Sequence, residues 1–324
     1  MAVDIAQQTA KLRPLDNAAH RQLHEACARE GGLESIARFV EIDTNGVTLE
    51  ALDAGPEDGE LVVLLHGFPE FWYSWRHQIV ALVEAGFRVI APDQRGYNLS
   101  EKPTKLAAYS TDQLADDVAG IIEAAGHQKA HIVGHDWGGA VSWWFAERHS
   151  ERLSSLAVLN CPHHSVFQKA LKSDFAQMRR SWYIVLFQVP GLIERIFPMN
   201  DWGAGVKILR DTVRKGAFSE ADIALYKTAW AQPGAFKSMI SWYRAAAKNF
   251  NERGGKRPIE QPTLVIWGEQ DTALGRNMAQ PSAERSTNGR VEFLPHASHW
   301  VMQDAPEEVN ALLVGFLSGL KSKP

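Results

Sequence analysis

Gly134-His135-Asp136-Trp137-Gly138-Gly139 is the stretch on which the reading of this chain turns. It follows the apolar run Ala130-His131-Ile132-Val133 and precedes a segment, 140–148, with helical texture. A short buried strand, a Gly-bracketed residue and then a helix describe a sharp turn that displays its central side chain at the strand end. The backbone there is strained, and side chains at the flanking positions would collide with the neighbouring strand and helix. In this G-x-nucleophile-x-G pattern the central residue is Asp136, not Ser. The chain contains no G-x-S-x-G, which disfavours serine esterase and lipase chemistry.

Outward from that turn the texture alternates. On the N-terminal side, residues 36–42 and Val47–Ala54 read as two strands joined at Asn45-Gly46, a hairpin signal. Leu61–Leu65 is a continuous apolar run after Asp58-Gly59, the pattern of a strand buried on both faces. Strands follow at 87–91 and Leu153–Leu159, with an amphipathic helix at 111–125. Alternation of this kind predicts an α/β fold, a mostly parallel doubly wound sheet with helices on both faces. It breaks at about His163. Up to about Gly255 the pattern is helical and rich in aromatics, Trp182, Tyr183, Phe187, Phe197, Trp202, Trp230, Phe236, Trp242, Tyr243 and Phe250 among them. Strands resume at 263–267 and 291–294, and a helix at 307–317 ends the pattern. The expected organisation is a core of residues 35–162 and 256–324 carrying a helical lid at 163–255. Residues 1–34 form an N-terminal extension with one helix, capped by Asp16 and stopped at Gly31-Gly32.

Composition narrows the function. The chain has 324 residues, 45% hydrophobic and 22% charged, an ordinary globular balance with material for a large core. The net charge of −4, without a basic run, argues against nucleic acid or anionic lipid as a partner. Two cysteines, Cys27 and Cys161, make neither a disulfide framework nor a thiolate metal cluster. The N-terminus lacks an apolar leader core and no apolar run is long enough to span a bilayer, so a soluble, cytoplasmic protein is expected. Eleven tryptophans stand out, most of them in or beside the presumptive catalytic loops and the lid. Core packing accounts for most, with some left to line a pocket.

A carboxylate nucleophile needs an oxyanion site, a base and an orienter, in the chain order nucleophile, acid, histidine. Leu65-His66-Gly67-Phe68-Pro69-Glu70 follows the earlier buried strand, which assigns the oxyanion hole to the backbone amides of Phe68 and Trp137. His66 reads as a brace for that loop. Gly268-Glu269-Gln270-Asp271 follows the strand at 263–267, and Pro295-His296-Ala297-Ser298-His299-Trp300 follows the last strand. Chain order makes Asp271 the orienter and His299 the base, with Glu269 and His296 as the alternates. His77, His135, His163 and His164 read as structural or exposed.

Together, HGFPE at 66–70, PDQRGY at 92–97, GHDWGG at 134–139, GEQD at 268–271 and HASHW at 296–300 resemble the α/β-hydrolase fold enzymes of the epoxide hydrolase group. The likeness covers nearly all of the chain after Ser35. It implies hydrolysis of a small apolar epoxide by water, without metal or organic cofactor, through an ester on Asp136. It also implies two lid phenols that protonate the opening oxygen. Ser181-Trp182-Tyr183 and Ser241-Trp242-Tyr243-Arg244 resemble the segments that carry them, which puts those roles on Tyr183 and Tyr243. His66, Pro69, Trp137, Leu186, Phe187 and Trp300 are the residues expected along the substrate pocket. Haloalkane dehalogenases share the Asp nucleophile and are the nearest alternative. They hold the halide with N–H donors, often an Asn at the position of Phe68. A non-catalytic ligand receptor on the same fold is the second alternative. The oligomeric state is not legible.

Overall fold

The computed structural model describes residues 10–248 and 258–320. Among them, nine strands form one sheet: β1 (Lys11–Pro14), β2 (Ala37–Thr44), β3 (Val47–Ala54), β4 (Leu61–Leu65), β5 (Arg88–Pro92), β6 (Ala130–His135), β7 (Leu153–Leu159), β8 (Thr263–Gly268) and β9 (Gly289–Leu294). Their order is β1-β2-β3-β5-β4-β6-β7-β8-β9. Every pairing from β5 to β9 is parallel, and the first three pairings are antiparallel. β4, β5, β6 and β8 are buried along their whole length, as strands covered by helices on both faces must be. β4 lies between β5 and β6, so the chain reverses its direction of travel across the sheet there. In open α/β sheets such a switch point opens a crevice at the carboxyl ends of the strands. The loops after β4 and β6 meet in it.

The N-terminal region departs from the expectation in two ways. The helix Ala18–Glu30 is capped by Asn17, whose side chain accepts from the Ala19 and His20 N–H groups, and not by Asp16. Before it, β1 adds an edge strand to β2, which the sequence reading missed. β1 has four residues, mostly exposed, so no alternation marks it. Arg13 pins it by pairing with Glu41 and Asp43. The helix after the turn, Trp137–Arg148, starts three residues before the expected position, so its first turn includes Gly138 and Gly139. Two glycines masked that start, because their poor helix propensity argues for a loop.

Between β7 and β8 the described residues form seven helices and no strand: His164–Ser173, Phe175–Arg180, Trp182–Phe187, Leu192–Ile196, Met199–Asp211, Glu220–Trp230 and Ala235–Lys248. Phe250 and the expected end of this insertion near residue 255 lie outside the described residues. Buried polar contacts tie the insertion to the core. The Trp230 indole N–H donates to the Pro69 carbonyl at 2.5 Å, and that of Trp242 to the Arg95 carbonyl at 3.0 Å. The Tyr73 hydroxyl meets Asp222 at 2.7 Å, and Tyr109 meets Ser238 at 2.9 Å.

Arg95, in the PDQRGY run, is held in turn. Its guanidinium grips Asp117 in a bidentate pair at 2.7 and 2.5 Å, and Asn45 of the hairpin turn donates to the same carboxylate at 3.0 Å. Both charges are buried. Removing one partner of such a pair strands the other in a dry site. Asp117→Ala is therefore expected to cost about 3–5 kcal/mol of stability. Chemical denaturation monitored by circular dichroism measures it, and an unshifted midpoint would contradict the role given to this pair.

Candidate active site

Asp136 joins β6 to the helix Trp137–Arg148 with φ +49°, a conformation uncommon for a residue with a side chain. Close packing imposes it. A Cβ on Gly138 would lie 2.0 Å from the Leu65 carbonyl oxygen, and one on Gly67 would lie 2.5 Å from the Asp136 Cβ. Only glycines let the helix start and the loop after β4 approach this closely. The approach brings the Phe68 N–H to 2.8 Å from Asp136 Oδ1. Trp137 is the first residue of its helix, so its N–H has no carbonyl one turn back to bond. Of the two amides expected of the oxyanion hole, that of Phe68 contacts the carboxylate and that of Trp137 starts the adjoining helix.

His299 approaches from the loop after β9. Its Nδ1 is 2.7 Å from Asp271 Oδ2, and its Nε2 lies 3.6 Å from Asp136 Oδ2. Asp271 is fixed on all sides: Oδ1 accepts from the Ala273 and Leu274 N–H groups at 2.7 and 2.8 Å, and Oδ2 accepts from Asn160 Nδ2 at 2.8 Å. The alternates face elsewhere, Glu269 toward Arg276 at 2.9 Å and the exposed His296 toward Glu308 at 2.8 Å. Burial alone would lower the His299 pKa, but the Asp271 and Asp136 carboxylates override it and raise it well above the usual range. Burial would likewise raise Asp136, yet the facing His299 imidazole brings it below its ordinary value. Both shifts favour an imidazolium held between two carboxylates.

A cavity of about 190 Å³ opens on this group. Asp136, Trp137, Tyr183 and Tyr243 all line it, with Trp144, Phe167, Ile184 and Leu274 adding apolar wall. The two phenol rings are 6.1 Å apart, and the Tyr243 ring stands edge-on to the Trp137 indole at 4.9 Å. Burial and the Asp136 charge raise both phenol pKa values, so both hydroxyls stay protonated at neutral pH. Cys161 also lines the cavity, but burial and the carboxylate charges push its thiol well up, which keeps it from competing as a nucleophile.

Of the residues expected along the pocket, Trp137 lines this cavity and the other five do not. His66 is buried behind the loop: it takes a hydrogen bond from Gln94 N–H on Nε2 at 3.1 Å and reaches the Gly67 carbonyl with Nδ1 at 3.0 Å. Burial lowers its pKa to about 4 and keeps it a neutral brace. Pro69 offers its carbonyl to Trp230. The Phe187 ring packs on Phe68 and Tyr243 behind the wall, Leu186 is half-buried on the same short helix, and the Trp300 indole donates to Thr212 at 2.8 Å. Next to a triad in sequence is not the same as next to its cavity, since alternate residues of a loop or helix face away.

Other contributors were missed. Asn160 bridges Asp271 and the Gly268 N–H from the end of β7, a strand-end position that marked it as a candidate. His135 is structural as read, spanning Glu70 and the His299 carbonyl at 2.9 Å each. His164 is on the cavity wall. With Glu147 and His163 it brings ligand-capable atoms within 4.8 Å of one another. The Ser165 N–H, however, donates to His163 Nδ1 at 3.2 Å, which leaves the ring proton on Nε2, 3.1 Å from Glu147. That is a hydrogen bond, whereas a metal ion would need the Nε2 lone pair.

Comparison with known proteins agrees with this architecture. Residues 60–306 match the family model described as the α/β hydrolase fold. The chain is 43% identical over 277 residues to AB hydrolase superfamily protein YfhM of Bacillus subtilis, covering 85% of this chain and 96% of that protein. It is 34% identical over 316 residues to Epoxide hydrolase A of Mycobacterium tuberculosis, covering 86% and 97%. Among solved structures, an epoxide hydrolase from Bacillus megaterium in complex with an inhibitor matches with a TM-score of 0.77 at 32% identity, over 86% of this chain and 99% of that one. The chain belongs to the α/β hydrolase fold family, in the branch that holds these epoxide hydrolases.

Proposed function

We propose that this protein hydrolyses apolar epoxides to vicinal diols through a covalent ester on Asp136. One observation carries the reading: the nucleophile carboxylate and two protonated phenols, Tyr183 and Tyr243, border a single apolar cavity. A halide leaves as a stable anion and needs only N–H donors. An epoxide opens to a strongly basic alkoxide and needs a proton, which a phenol supplies.

In the first step the phenols of the lid hydrogen-bond the epoxide oxygen. Asp136 attacks a ring carbon, the carbon–oxygen bond breaks, and one phenol gives its proton to the departing oxygen. The ester consumes the Asp136 charge and with it one of the two carboxylates that hold the proton on His299. The imidazolium returns its proton to the phenolate, directly or through water. Neutral His299, oriented by Asp271, then takes a proton from water, and the hydroxide adds to the Asp136 carbonyl carbon. The Phe68 and Trp137 amides meet the oxyanion. Collapse releases the diol with a proton from His299 and leaves Asp136 as the acid, whose proton passes to the now neutral His299, restoring the carboxylate and the imidazolium. The same environment thus makes His299 an acid before the ester and a base after it.

The alternatives are separated by one assay. Styrene oxide should give diol, and haloalkanes should release no halide. Halide release without diol would favour the dehalogenase reading, and ligand binding without either would favour the receptor. Asp136→Ala should abolish turnover while the fold is kept. Tyr183→Phe with Tyr243→Phe should lower kcat/KM by roughly 10²–10⁴-fold, and an unaffected double variant would remove the phenols from the chemistry. His299→Gln should accumulate an adduct of protein mass plus substrate mass; recovery of the bare protein after prolonged exposure to substrate would count against the ester.

The half-reactions should differ in pH dependence. Asp136 is held below the ordinary carboxylate range, so ester formation should be flat between about pH 5 and pH 8. Ester hydrolysis needs neutral His299 and should rise with pH until the imidazolium of the ester form is fully deprotonated. Rapid-mixing single-turnover measurements resolve the two, and hydrolysis that quickens as pH falls would contradict the role of His299.

A further inference from the structure

Among the described residues, seven of the nine exposed large apolar side chains fall between Phe175 and Met199. Among the described residues, Phe175, Met178, Trp182, Val185, Val189 and Ile196 are large hydrophobics open to solvent, Phe175 at 77%, Val185 at 73% and Trp182 at 64% exposure. The spacing from Phe175 to Val189 is three or four residues at each step. It runs one stripe along two short helices, Phe175–Arg180 and Trp182–Phe187, which are joined through Ser181. A patch of this kind on a water-soluble surface marks a docking face.

Its charge identifies the partner. Lys169, Arg179, Arg180 and Arg195 are exposed in and around the stripe. Of the nearby acids, Glu194 is paired with Arg244 at 2.5 Å, and Asp174 keeps its charge while accepting from the Ala176 and Gln177 N–H groups and from Asn277, which leaves the cations in excess. A chain with net charge −4 thus presents a locally basic, apolar face. A twofold contact with a second copy sets the same patch against itself and would bring these cations together. An anionic lipid surface accepts both the apolar side chains and the cations.

We propose that residues 175–199 of the insertion dock on anionic lipid, with Trp182 and Val185 in the interfacial layer. The helix Trp182–Phe187 also carries Tyr183 and Ile184, which line the cavity, so its two faces would look onto lipid and onto the site. Apolar substrates partition into membranes, and such a face would place the cavity beside their reservoir. Docking itself does not depend on the substrate assignment and is measured without turnover.

The test is co-sedimentation of the full chain with vesicles of phosphatidylcholine, with and without about 30 mol% phosphatidylglycerol. The expected result is partition onto the anionic vesicles that weakens with added salt. Trp182→Ser with Val185→Ser, and separately Arg179→Glu with Arg180→Glu, should each reduce partition by roughly tenfold or more, with unchanged circular dichroism. Absence of partition onto anionic vesicles, or partition in both variants as strong as that of the unaltered chain, would overturn the proposal. So would a dimer in sedimentation velocity that Trp182→Ser dissolves, which would give the face to a second copy.

Discussion

The contact between the start of one helix and the carbonyl end of the neighbouring strand organises this molecule. A side chain at Gly138 would sit 2.0 Å from the Leu65 carbonyl oxygen, so the helix can begin against β4 only because that position is bare. From this contact follow the positive φ at Asp136 and the display of its carboxylate at the switch point of the sheet. The same contact brings the Phe68 N–H within 2.8 Å of Oδ1. The strain is local, and the flanking strands, buried along their whole length, hold it in place.

Charge is arranged as tightly as shape. His299 lies between Asp271, locked by two backbone amides and Asn160, and the more loosely approached Asp136. In the proposed reaction the fixed carboxylate would orient the imidazole, while the carboxylate 3.6 Å away would have room to gain and lose a substituent. The tryptophans join this centre to the insertion. Trp230 and Trp242 each combine a buried indole with one N–H aimed at a loop carbonyl, on Pro69 and Arg95, so the insertion registers on the loops after β4 and β5.

Much of this was legible in the chain. Glycine-bracketed turns and apolar runs have strong local causes, and β3, β4 and β7 fall on the boundaries read from the sequence. Chain order of strand ends put Asp136, Asp271 and His299 forward as the candidate triad, and the structure brings those three side chains together. The pocket wall was read poorly, with His66, Pro69, Leu186, Phe187 and Trp300 all turned from the cavity. Which face of a loop or short helix points inward is a tertiary property, and a window of sequence does not hold it. β1 escaped for the related reason that an exposed edge strand has no buried face to write a pattern. The surface stripe at 175–189 escaped because whole-chain charge averages away a local basic face.

In the proposed reaction water attacks the ester on Asp136 and not the epoxide. A single turnover in heavy-oxygen water, with enzyme in excess over a simple epoxide, tests it by mass spectrometry of both the diol and the peptide containing Asp136. The account predicts an unlabelled diol and a heavy oxygen in the Asp136 carboxylate. Label in the diol with none on Asp136 would mean direct attack of water on the epoxide and would contradict it.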